Sequence, residues 1–162
     1  MRTLNKNKQK MFFSQFLATG MRYDTDDEWN PMYYETDEGE RIYTETSESM
    51  AYYSEPQEMK ANIAESGGEA EAMEYGLSVA DYEAVLVYER GKYPLQEGSY
   101  IWLADTPVGY EYNSKEVPVE IDGEKVMMKA PDVSTADYIV LKTPKSLNFQ
   151  KAILKAVVKS EV

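Results

Sequence analysis

The chain contains neither cysteine nor histidine. Without thiols there is no disulfide to staple a small fold and no thiolate zinc site. Without imidazole, Ser-His-Asp and Cys-His arrangements and HExxH zinc sites are excluded, along with the commonest general base near neutral pH. Long apolar runs are missing too: no stretch approaches the roughly 18 consecutive apolar residues of a membrane span. Residues 1–10 are basic, but the MFFSQFLATG that follows is too short and polar for a secretory signal. The expectation is a protein assembled in a cytoplasm, with no membrane partner. No loop suited to cradling phosphate occurs, because Gly67-Gly68 is followed by Glu69 and lacks the lysine of a P-loop. A glycosidase needs only two carboxylates, yet carboxylates are so numerous that no pair stands out. The chain reads as a non-enzyme without a cofactor.

Basic residues are scarce through the middle and concentrated at the ends. Residues 1–10 carry Arg2, Lys6, Lys8 and Lys10 and no acid, whereas residues 23–89 hold 19 Asp and Glu against Arg41 and Lys60, a net of −17. Residues 141–162 return to Lys142, Lys145, Lys151, Lys155 and Lys159 against Glu161 alone. A formal net charge of −12 leaves no basic groove able to grip phosphates, so a protein that binds nucleic acid through its backbone is excluded. Separated charges of opposite sign favour head-to-tail attraction between copies.

At 162 residues one domain is the default, with enough chain to bury about two-thirds of its unfolded surface. Tyrosine is over-represented, 14 against 4 Phe and 2 Trp, which suits either half-buried strand positions or a protein interface. Frequent turn signals between short apolar runs predict strands. The first covers Gln9–Phe16 and is ended by Thr19-Gly20. Met32–Thr36 and Arg41–Thr46, around Asp37-Glu38-Gly39, have the layout of a hairpin. With only Ile42 strongly aliphatic, that hairpin is expected to bury little and to project. Pro56 sets the start of a strand over the residues that follow. Residues 82–89, 99–103 and 136–142 read as strands, and Asp122-Gly123 marks a second hairpin between 116–121 and 124–128.

The C-terminal segment fits two geometries. A helix capped at Asn148 aligns Lys151, Lys155 and Lys159; a strand puts Ala152, Leu154, Ala156 and Val158 on one apolar face and accounts for more residues. The sum is a mainly β fold, a small barrel or sandwich with long loops and a protruding acidic hairpin. It is expected as a single domain over 1–162, with insertions at 23–53 and 110–131 and a core including Val85, Val87, Ile101, Leu103, Ile139, Leu141 and Leu154.

Asp24, Asp26, Glu28, Asn30 and Glu35 fall at positions 1, 3, 5, 7 and 12 of an EF-hand-like loop. Position 6 requires glycine for its sharp turn and holds Trp29, and Pro31 follows, so these carboxylates read as an exposed charged loop and not a metal site.

RTLNKNKQKMFFSQF at 2–16, YSEPQEMKANIAESGG at 53–68 with Tyr75-Gly76 and Asp81-Tyr82, and DYIVLKTPKSLNFQKAILKAV at 137–157 together resemble the head-completion, or stopper, proteins of tailed-phage necks. The resemblance follows the family's order of strands along nearly the whole chain, with the acidic hairpin and the Asp122-Gly123 hairpin as additions. It implies a structural virion protein forming a ring, most often a hexamer. Such a ring sits below the portal and adaptor and above a tail terminator or tail-completion protein, and closes the DNA channel of the filled head. On that basis Lys6, Lys8, Lys151, Lys155 and Lys159 are candidates for contact with acidic neighbours. Asp24, Asp26, Asp27, Glu28, Asp37, Glu38, Glu69 and Glu71 are candidates for loops that face packaged DNA and repel it. Adaptor and tail-completion proteins share these features. A small acidic DNA-mimic that neutralises a basic protein is the alternative of another class.

Overall fold

Strands that each carry one apolar face can bury it by closing into a barrel, which also leaves no unpaired edge. In a computed structural model, which describes residues 8–65, 84–144 and 149–158, six strands do so. They are β1 (Gln9–Ser14), β6 (Gln57–Glu65), β7 (Ala84–Glu89), β8 (Tyr100–Leu103), β11 (Tyr138–Lys142) and β12 (Phe149–Ala156). Every pairing is antiparallel, and the order β1-β6-β7-β12-β11-β8 closes back on β1. The fold is mainly β, as the short apolar runs predict, and the described residues include no helix long and apolar enough to cross a membrane.

The chain divides into two compact units. The barrel unit combines residues 1–15, 56–108 and 133–162; the second unit combines 16–55 and 109–132. Both stretches expected as insertions, 23–53 and 110–131, fall within the second unit.

Met11, Phe13, Met59, Leu86, Tyr88, Ile101, Val140 and Leu154 form the buried barrel core, with Leu103 packed against it. Of the residues expected there, Ile101, Leu103 and Leu154 are in place. Val85 instead joins Ile153 in a separate small cluster, against which Val87 and Leu141 pack. Ile139 belongs to neither cluster and Val140 takes the core position in its strand. The cause is the composition of β7 and β11: AVLVYE and YIVLK are apolar on both faces, so alternation gives no phase, and a one-residue slip exchanges the faces. Trp102, next to Ile101, is fully buried, and its indole N–H donates to Thr135 Oγ1 at 2.9 Å.

Two sequence readings hold closely. β6 begins directly after Pro56, and the C-terminal segment is the strand β12. Thr19-Gly20 does not end the first strand. The break falls at Gln15, whose side-chain amide donates to the Pro94 carbonyl, and Gly20 lies within the next strand, β2 (Phe16–Tyr23).

Candidate functional site

The second unit consists of three antiparallel ribbons. β2 pairs with β5 (Glu45–Tyr53), β3 (Tyr33–Glu35) with β4 (Arg41–Tyr43), and β9 (Glu116–Ile121) with β10 (Glu124–Lys129). The last turn has Asp122 at φ 52° and Gly123 at φ 83°, the left-handed pair that an Asp-Gly hairpin requires. Gly39 does the same for the β3–β4 turn at φ 83°.

The unit has its own core: Tyr52, Tyr112, Val117, Val119, Met128 and Ala130, with Leu17, Tyr23, Met50 and Ile121 packed against it. The expectation that residues 23–53 bury little holds for β3, exposed at all positions, and fails at the base of the stretch, where Tyr52 is 3% exposed. The bulk comes from tyrosine in place of aliphatic residues, and each phenol then needs a partner. The Tyr112 hydroxyl accepts the Tyr23 backbone N–H at 2.9 Å. The Tyr52 hydroxyl donates to the Met21 carbonyl at 2.7 Å, and that of Tyr23 to the Pro118 carbonyl at 2.5 Å. Burial pushes the Tyr23 phenol up to about 12, with smaller contributions from Glu45, Tyr112, Tyr43 and Glu120. Burial, together with the Tyr112 hydroxyl, raises Tyr52 further. Gly20 leaves room for this packing: a Cβ there would lie 3.1 Å from Tyr52 Cε2, and the ring would have to give by a few tenths of an ångström.

This unit contains 17 Asp and Glu against Arg22, Arg41, Lys115, Lys125 and Lys129, a net of −12, while the barrel unit balances 12 acids with 12 bases. The whole formal charge of the chain thus resides on one unit. Three of its five cations have partners within the unit, Lys129 lying 6.0 Å from the centre of the Tyr110 ring. Arg22 donates to Glu111 at 2.9 Å, lies 3.4 Å from Glu48 and is held above its ordinary pKa chiefly by the Glu111 bond. Arg41 sits over the Tyr33 ring, 4.6 Å from its centre, and 3.8 Å from Glu35.

Asp24, Asp26, Asp27, Glu28, Asp37 and Glu38 all lie in this unit, in the turns on either side of β3, and all but Asp24 are exposed. Asp26 organises its own turn, accepting the backbone N–H groups of Glu28 and Asn30 at 2.9 Å each. These bonds, the Asn30 one foremost, lower its pKa. With those oxygens occupied and Trp29 at φ 67°, the loop is a self-capped turn. No group of three or more Asp and Glu among the described residues could hold a metal ion.

Lys8, Lys151 and Lys155 lie in the barrel unit; Lys6, Lys159, Glu69 and Glu71 lie outside the described residues. The Lys8 ammonium pairs with Glu89 at 3.0 Å, and the bond lowers the Glu89 carboxyl. Lys151 places its ammonium 5.8 Å from the Phe149 ring centre, and Lys155 stands opposite Ile139 of β11. Ile153 between them is fully buried, so the lysines share their strand face with an apolar residue.

The sequence reading does not find the cavity of about 540 Å³ within the second unit, lined by residues of all three ribbons, among them Tyr23, Tyr43, Tyr52, Glu45 and Glu120. Its one visible signal is the tyrosine excess, which composition alone does not assign to a place. No family model, curated protein or solved structure matches this chain.

Proposed function

We propose that the chain is a structural protein of the tailed-phage neck, a head-completion ring subunit that closes the channel of the filled head and offers the tail its docking surface. The observation that carries this reading is the confinement of the −12 net charge to one compact unit, the barrel unit being charge-balanced. A closed barrel is a rigid platform without free edges. Acidic turns placed towards a lumen repel the phosphate backbone and keep DNA from adhering, while the lysines of the barrel unit meet acidic neighbours. The resemblance in the three segments at 2–16, 53–68 and 137–157 supplies the location. The partners are further copies of the chain, the portal–adaptor ring above and a tail-terminating protein below, with DNA passing through unread.

The test is to inactivate the gene in the phage that encodes it. Particles with filled heads that lose their DNA and lack tails are the expected product, and the protein itself should be recovered from purified wild-type virions. Normal tailed particles from the inactivated phage would reject the proposal. The same charge confinement favours the DNA-mimic reading as a second possibility. It would be selected by a monomeric protein, absent from virions, that binds a basic protein in a salt-sensitive manner.

A further inference from the structure

The neck reading makes no use of the cavity in the second unit, and the residues around it have a chemistry of their own. Tyr23, Tyr43 and Tyr52 contribute to its lining. The Tyr23 and Tyr43 ring centres are 5.9 Å apart at an interplanar angle of 66°. The Tyr23 and Tyr52 hydroxyl protons are spent on the Pro118 and Met21 carbonyls, so what these two side chains retain for a ligand is ring surface. Glu45 and Glu120 supply carboxylates, and neither takes part in an ion pair among the described residues. Burial is the main cause of the raised Tyr23 phenol pKa, and both carboxylates add to it. Aromatic faces and carboxylates around one concave space select an organic cation, since each stabilises positive charge and neither donates a hydrogen bond.

We infer that this cavity is a receptor for one cationic side chain, a guanidinium or an ammonium, presented by a protein partner. One feature of the lining opposes it. Lys125 also borders the cavity and stands opposite Glu120 in the β9–β10 register, so it offsets that carboxylate and leaves Glu45 dominant. The inference does not depend on the ring. If copies of the chain do assemble, Arg2 and Lys6, which precede β1, are one source of the cation, and a protein of another kind is the other.

The experiment uses the full chain, isotopically labelled, and follows its amide NMR signals while N-acetyl-arginine amide is added. The neutral isostere N-acetyl-citrulline amide serves as control. Saturable shifts at Gly20, Glu45 and Glu120 with the arginine probe, and none with citrulline, are expected. Glu45→Gln should weaken binding at least about fivefold, and Lys125→Gln should tighten it about two- to threefold, the scale of single charge and cation–π contacts. Tyr43→Leu should weaken it as well; if that variant misfolds, the two charge variants still decide. Competition by the heptapeptide MRTLNKN, lost on Arg2→Gln with Lys6→Gln, assigns the source to a second copy. Binding of the arginine probe without competition by the peptide assigns it to another partner. Absence of saturable shifts around the cavity, or equal shifts with citrulline, overturns the inference. Cavity binding by a protein that never enters virions would keep this site and remove the neck reading, and virion assembly by a protein that ignores the probe would do the reverse.

Discussion

Replacing Tyr112 by Phe isolates one hydroxyl. The ring and its packing against Val117, Val119 and Tyr52 are retained, so no cavity opens. The Tyr23 N–H, which donates to that oxygen at 2.9 Å in a partly buried position, loses its acceptor. The same hydroxyl donates to Met50 Sδ at 3.4 Å, a weak acceptor, and stands 3.4 Å from Tyr52 Oη, the outer limit for a contact between oxygens, so these two add less. A backbone donor stranded in this way costs about 1–3 kcal/mol, and partial burial puts the figure near 1–2 kcal/mol. With a urea dependence of about 1–3 kcal/mol per molar, the midpoint should fall by roughly 0.5–1 M. Native-state amide exchange gives the sharper readout: the Tyr23 amide should lose about tenfold or more of its protection, since each 1.4 kcal/mol is a factor of ten. Tyr112→Ala should cost about 3–5 kcal/mol, because it removes the packing as well. An unchanged Tyr23 exchange rate in Tyr112→Phe, or equal costs for the Phe and Ala variants, would refute the assignment of the hydroxyl as the anchor of β2.

Joining Asp24 to Thr44 through a short Asn-Gly turn should leave the Tyr52–Tyr112 core folded, because the Asp24 N–H already donates to the Thr44 carbonyl at 2.9 Å; tyrosine near-UV circular dichroism is the check. The shortened protein should also fail to bind the arginine probe, having lost Tyr43 from the cavity lining. Gly123→Ala should cost about 1 kcal/mol of thermal or urea stability, wholly from the backbone, since its φ of 83° is left-handed and nothing lies within 4 Å of the new methyl group. Burial raises Tyr23 and Tyr88 to about 12, so the neutral phenols favour the fold. Their contribution is complete below the unfolded value near 10 and is lost as pH rises towards about 12, seen as a falling urea midpoint alongside phenolate absorbance. Lys8→Gln should move the Glu89 carboxyl titration up towards its ordinary value, because the Lys8 bond is the main cause of its depression. In the native chain that depressed carboxylate stabilises the fold above its unfolded pKa and loses the effect as pH falls through the folded value; carboxyl NMR titration separates the two proteins.

The sequence was most informative where a local rule has only one outcome. Asp122-Gly123 placed a hairpin to the residue, and Pro56 marked where a strand starts. The alternate apolar residues Ala152, Leu154 and Ala156 favoured strand over helix, which the fold bears out in β12. It was least informative where both faces of a strand are apolar: Leu86 and Val85 are both buried, and no pattern in AVLVYE tells which of them joins the barrel core. The acidic character of 23–53 was plain, yet its partnership with 109–132 was not, because it rests on Tyr52 and Tyr112, which are 60 residues apart in the chain. Tyrosine also conceals core as surface: the same residue type is buried at 52 and 61% exposed at 34. The Lys8–Glu89 pair, 81 residues apart, has no local signal either.

The closing strand has a consequence in time. β12 lies between β7 and β11, and β1, the first strand made, lies between β6 and β8. During synthesis the barrel therefore remains a sheet with two raw edges until residues 149–156 have left the ribosome. For that interval β7, rich in branched apolar residues, has no partner on its β12 side and can pair with the same strand of another nascent chain. Loss or slow delivery of the last strand should thus show itself as aggregation of otherwise sound chains, and a peptide spanning 149–156 supplied in trans is the natural remedy.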